Sequence, residues 1–292
     1  MYSPAKYGIL PELVPEKDLV KANGWIEGST ILAILAGMLV GAVLSERSIM
    51  MALAVVTGLY GLSAITARWI TPIAPKRVEK HAAVAHFVKI TRKLLATPRA
   101  RFSTLGVSLF WAASVVLRVL LVAWAPAVLL LKQTSDIAQL TLFLALGIAV
   151  GAVLAARFIP LAFLRRARLA AYAMGVIVLI LSLVESVWGA RVVLFCAGVA
   201  GGMLVVPINA ALQEIGHKTI GAGGAVAVQN FFENLAMLVA SGAYSLAAAQ
   251  GAAPTSSIIV LGGLIIVATL LVSWRLPPDT GNLTERAPGR SG

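Results

Sequence analysis

Residues 102–131 read FSTLGVSLFWAASVVLRVLLVAWAPAVLLL, thirty positions with a single charge, Arg118. About 20 predominantly apolar residues let a helix cross the hydrocarbon core of a bilayer. The stretch therefore predicts a membrane-spanning helix with an arginine inside it. Seven further segments of the same kind are Val20–Leu44, Met50–Ile70, Ile137–Ala156, Leu169–Val187, Val192–Leu212, Ala225–Gln250 and Ser256–Trp274. Short polar or breaker turns separate several of them, at Ser45–Arg47, Lys132–Asp136 and Ala252–Thr255. Period-2 alternation, the mark of a lipid-facing barrel, is absent.

The composition agrees. Hydrophobic residues make up 59% of the 292 and charged residues only 12%, about half the usual share for a soluble domain. Too few polar groups remain to cover a soluble core, which excludes a cytosolic enzyme, a DNA-binding protein and a disordered chain. In a soluble protein the net charge of +12 would point to nucleic acid; here it points to loops facing the cytosol. Of the 24 Lys and Arg, only Arg47, Lys132 and Arg191 fall in one alternate set of turns, and Arg118 within a span. The rest crowd the N-terminal stretch, 71–101, 157–168, 213–224, the tail and the adjoining helix ends. Both termini are thus expected on the cytosolic side of the membrane. Tyr2–Lys6 lead into a polar loop rather than the apolar run of a signal peptide.

The basic stretch 75–101 interleaves Lys and Arg with Val84, Phe87, Val88, Ile90, Leu94 and Leu95, which predicts a short amphipathic helix on the anionic inner leaflet. His81 and His86 lie five apart, off the i, i+4 ligand spacing, and Cys196 is the sole cysteine. No metal site, disulfide or cofactor is expected.

Two distant stretches echo one another. Pro4, a loop, then Asn23-Gly24-Trp25-Ile26-Glu27 open one long apolar helix. Pro207, a loop, then Gln229-Asn230-Phe231-Phe232-Glu233 lead another. The copies make Glu27 and Glu233 equivalent and place Pro207 at the end of the fourth helix of a six-helix unit. By the same register Pro4 closes a fourth helix of an earlier unit, whose preceding helices are not in the sequence. The expectation is an all-α integral membrane bundle of the major facilitator type, with about eight transmembrane helices equivalent to the last eight of twelve. Its parts are a remnant of the N-terminal half (1–71), a basic cytosolic loop (72–101), a C-terminal six-helix half (102–275) and a disordered cytosolic tail (276–292).

Several of these stretches resemble the bacterial lysophospholipid transporter family. They are Tyr2–Leu10 (YSPAKYGIL), Val20–Gly24, Ser108–Trp111 with Leu117-Arg118, Val205–Pro207 through Gln213-Glu214, and Val226–Asn230 with Glu233-Asn234. The resemblance runs to about Trp274. It implies inward movement of lysophosphatidylethanolamine and related lysolipids across the inner membrane, where a cytosolic acyltransferase–acyl carrier protein synthetase re-acylates them. It also implies a cavity arginine at Arg118 and, at Lys6, a lysine directed at the headgroup path.

From the residues themselves, a charge at the centre of a helix costs about 2.5–3.5 kcal/mol on insertion scales, so Arg118 has either an outer headgroup or a cavity to face. A guanidinium pairs two phosphate oxygens at once, which makes Arg118 a candidate phosphate clamp. Lys6 reads alone as an interfacial lysine. Glu27 and Glu233 begin their helices, where carboxylates suit the helix dipole; the sharper reading sets them against an ethanolamine ammonium or cations at the cytosolic gate. Gln229, Asn209 and Asn23 are candidate polar wall residues. Gly37/Gly41, Gly147/Gly151 and Gly198/Gly202 fit the close-packing G-x-x-x-G pattern, and the first two pairs are read as the rocking interface between the halves. No histidine lies in a span and no carboxylates cluster, so an enzyme is not expected. The alternatives are another facilitator, for a drug or small solute, and a non-transporting fragment.

Overall fold

The computed structural model describes residues 10–69, 83–131, 133–274 and 276. Lys6 with its surrounding motif, His81 and the tail lie outside the described residues. Within them there are nine α-helices of twelve or more residues and no strand. The helices are α1 (Leu19–Arg47), α2 (Ile49–Thr66), α3 (Ala83–Leu94), α4 (Pro98–Val128), α5 (Thr134–Phe158), α6 (Ala167–Leu181), α7 (Val187–Thr219), α8 (Ala222–Ala249) and α9 (Pro254–Ser273). Each of the eight expected spans falls on a helix, the fifth ending at Leu181 rather than Val187. Among the described residues, six helices are individually long and apolar enough to cross a bilayer: α2, α4, α5, α7, α8 and α9. The 15 residues of α6 rise only about 22 Å, and α1 begins with several polar turns.

Local chemistry sets the ends. Ser48 stops α1 and caps α2, accepting from the Met51 N–H. Thr97 caps α4 ahead of Pro98, and Ser186 caps α7 by accepting from Gly189. Gly221, at φ +85°, makes the left-handed link between α7 and α8 that glycine adopts without a Cβ penalty.

Pro207 does not end a helix. It lies inside α7, which continues to Thr219, so most of the expected loop at 213–224 is helical. Proline deletes one rung of the ladder, and in a helix packed on all sides the neighbours tolerate the gap. Around Pro207, residues Leu204–Leu212 are buried without interruption. They make α7 the axis of the core.

The glycine pairs also pack otherwise than expected. A Cβ on Gly147 would strike the Phe195 carbonyl, one on Gly151 the Val199 carbonyl, one on Gly198 the Leu144 carbonyl, and one on Gly202 the Ile148 carbonyl. Gly147/Gly151 of α5 thus mesh with Gly198/Gly202 of α7. Gly37 and Gly41 have nothing within 4 Å of an added Cβ. The rocking-interface assignment is corrected: α1 meets α5 at Gly24, whose added Cβ would stand 2.7 Å from the Ala152 carbonyl. The G-x-x-x-G pattern licenses close approach but does not choose the partner.

The amphipathic α3 forms as expected, but its apolar face turns onto protein. Phe87, Ile90 and Leu94 pack with Leu212, Ala225 and Val228, and Phe87 meets Phe231 edge to face at 5.2 Å. Lys93 donates to the carbonyl of Thr219 at the end of α7 (2.8 Å). Val84 and Val88 remain exposed beside Lys89 and Arg92.

Candidate functional site

Three helices carry polar residues one turn apart on otherwise apolar faces: Asn23/Glu27 on α1, Asn209/Gln213 on α7 and Gln229/Glu233 on α8. Residues at i and i+4 share a helical face, and the fold turns these faces toward one another. Gln229 Nε2 donates to Asn209 Oδ1 (2.8 Å) and to Glu233 Oε1 (2.6 Å), which ties α7 to α8. All three groups are buried.

Above this polar layer is a cavity of about 480 Å³, in the size range of small-molecule sites. Its floor and lower wall are Glu27, Thr30, Asn209, Gln229, Asn230 and Glu233. Apolar walls come from Ile31 and Ile34 of α1, Phe110 and Trp111 of α4, Leu142, Ala145 and Ile148 of α5, and Val226 of α8. Arg118 and Thr141 complete the lining. The Phe110 and Trp111 rings meet edge to face, 5.3 Å between centroids.

Depth along α4 separates the charges. A Cβ on Gly106 would touch Ile208 at 3.4 Å, so these two positions are level. Arg118 is twelve residues further along, about 18 Å at 1.5 Å per residue. Glutamates and amides sit near one end of the cavity, the guanidinium near the other, and the aromatic pair between. Among the described residues Arg118 makes no hydrogen bond or ion pair, and its side chain is exposed to the cavity. A cation kept free in an apolar wall is placed to receive an anion.

Of the residues singled out from sequence, Arg118, Glu27 and Glu233 line this one cavity, with Asn209 and Gln229. Lys6 lies outside the described residues. Asn23 is not a wall residue: its side chain turns away from the cavity and pairs with Gln213. Thr30, Asn230, Thr141 and Gln213 were missed as polar contributors. The i, i+4 spacing from Asn209 is a signal that could have found Gln213. Among the described residues no group of three or more His, Cys, Asp or Glu is arranged to hold a metal ion.

The family model of the Major Facilitator Superfamily matches residues 1–241. The Lysophospholipid transporter LplT of Photorhabdus laumondii is 42% identical over 278 residues, covering 94% of this chain and 70% of that protein. The proteins of the same name from Escherichia coli O6:K15:H31 and Shigella boydii serotype 4 are each 42% identical over 279 residues, with the same coverage. The chain belongs to the lysophospholipid transporter family of the major facilitator superfamily.

Proposed function

We propose that the protein moves lysophospholipid, with lysophosphatidylethanolamine as the expected substrate, inward across a bacterial inner membrane. It acts as a transporter and not as an enzyme. The observation that carries the reading is the cavity itself: a free guanidinium, an aromatic and aliphatic wall, and two carboxylates in one chamber. A lysophospholipid presents the complementary groups, a phosphate, a single acyl chain and, with ethanolamine, an ammonium.

In this reading Arg118 takes the phosphate through paired N–H donors, which are planar and match two oxygens at once. Glu27 and Glu233 face the ammonium. Lys6 adds a second cation along the headgroup path, a role supported by its place in the SPAKYG motif. The basic loops and both termini face the cytosol, supported by the loop-charge asymmetry, and the delivered lipid meets a cytosolic acyltransferase–acyl carrier protein synthetase there. The division into an N-terminal remnant (1–71), a basic loop (72–101), a six-helix half (102–275) and a tail (276–292) is supported by the packing of α4 to α9 around α7.

The test is uptake of labelled lysophosphatidylethanolamine by membrane vesicles containing the protein. Uptake above protein-free vesicles, competed by unlabelled lysolipid and not by diacyl phospholipid, is expected. Uptake equal to that of protein-free vesicles overturns the proposal.

A further inference from the structure

Below the cavity, α1 is fastened to the six-helix half. Asn23 Nδ2 donates to Gln213 Oε1 (2.8 Å), and Gln213 Nε2 donates back to Asn23 Oδ1 (2.9 Å). Asn23 Nδ2 also donates to the Leu19 carbonyl (2.9 Å). The pair is 1% and 2% exposed, 190 positions apart in the chain. Immediately above it, Gly24 brings α1 against the backbone of Ala152.

A charged belt lies beneath, at the face bearing the basic loops. Lys218 Nζ contacts Glu16 Oε1 (2.7 Å) and Glu214 Oε1 (3.0 Å), and Glu214 Oε2 meets Arg99 (3.3 Å). Arg99 also donates to the Leu161 carbonyl (2.9 Å). Glu16 thus repeats at the surface the connection that Asn23 makes in the interior. Further along α1, Leu32, Ile34 and Val40 are exposed. On the basic-loop face α1 is thus held closed against α7 and α5.

We infer that the Asn23–Gln213 amide pair is the deep latch of that closed face, and that its rupture is the step which opens the cavity toward the basic loops. These are gating residues, since neither lines the cavity. Chemistry favours amides here. Two amides exchange a complete set of bonds with each other when closed and with water when open, so little is lost in the exchange. A buried ion pair, once split, would leave two charges that resist separation far more strongly.

The test reads access rather than substrate, so it is separable from failure of the lysolipid reading. Cys196→Ala removes the sole cysteine, and Val20→Cys places a thiol in the buried layer one turn below Asn23. A membrane-impermeant maleimide is applied from the basic-loop face. The thiol is expected to be protected with the latch intact and to react at least fivefold faster after Asn23→Ala/Gln213→Ala. The swap Asn23→Gln/Gln213→Asn keeps two amides and the summed side-chain length, and it is expected to restore protection, which a residue that merely fills space would not require. Should the double alanine variant fail to accumulate, Gln213→Asn takes its place, with its amide one methylene short. Equal labelling with and without the latch, or a swap that labels like the broken pair, overturns the inference.

Discussion

Arg118 is the residue on which the site turns. Burying a guanidinium in a span costs about 2.5–3.5 kcal/mol, and the described protein offers it no counter-charge. A phosphate bonded through two N–H groups returns charge-assisted bonds worth about 1.5–3 kcal/mol each. Arg118→Ala should therefore lower lysolipid uptake by roughly a hundredfold or more at equal membrane abundance, and Arg118→Lys should recover only part, because an ammonium lacks the fork. Wild-type uptake by the alanine variant removes Arg118 from the site. Glu233→Gln keeps the shape of the carboxylate and the bond to Gln229 while deleting the charge. It should slow uptake of lysophosphatidylethanolamine about tenfold relative to lysophosphatidylglycerol, which has no ammonium to lose; equal slowing of both would place the carboxylate elsewhere in the cycle. Arg118, Glu27 and Glu233 were legible in the sequence because a charge in an apolar span has few reasons to be there. Asn23 was legible as polar but not as a latch, since its partner lies on a helix that only the tertiary fold brings near.

At the scale of helices, the meshed glycines of α5 and α7 leave no room for a side chain. Gly198→Val should overpack this contact, costing about 1–3 kcal/mol or more, and lower the detergent melting temperature by several degrees. Gly263→Ala, where nothing lies within 4 Å of the added Cβ, should leave the melting temperature unchanged. The position of the eight apolar helices was legible because runs of apolar residues between polar turns mark them. Their pairing was not, because every G-x-x-x-G advertises the same smooth surface. The seat of α3 was hidden for a related reason: an amphipathic pattern states that one face is buried but not whether lipid or protein covers it. Phe87→Ala deletes the edge-to-face contact with Phe231, worth about 0.5–1.5 kcal/mol beyond its area. Amide exchange across 83–94 should then accelerate by roughly tenfold, and unchanged exchange would mean that the remaining contacts hold α3 alone.

For the whole molecule, the asymmetry of loop charge makes a topological prediction. In the Cys196→Ala background, thiols at Ser48 and Thr255 should label from outside intact cells, and thiols at Lys89 and Gly223 should not. External labelling at Lys89 would reverse the orientation. The order of the layers through the bilayer then has an electrical consequence. A charge moved through the membrane potential exchanges about 2.3 kcal/mol per 100 mV, which makes many gates voltage-sensitive. The amides of Asn23 and Gln213 carry no net charge, and the Glu16–Lys218 pair stands at the aqueous edge, outside the steep part of the field. Parting the two halves at this level displaces no gating charge, so its rate should be the same in energised and in depolarised vesicles.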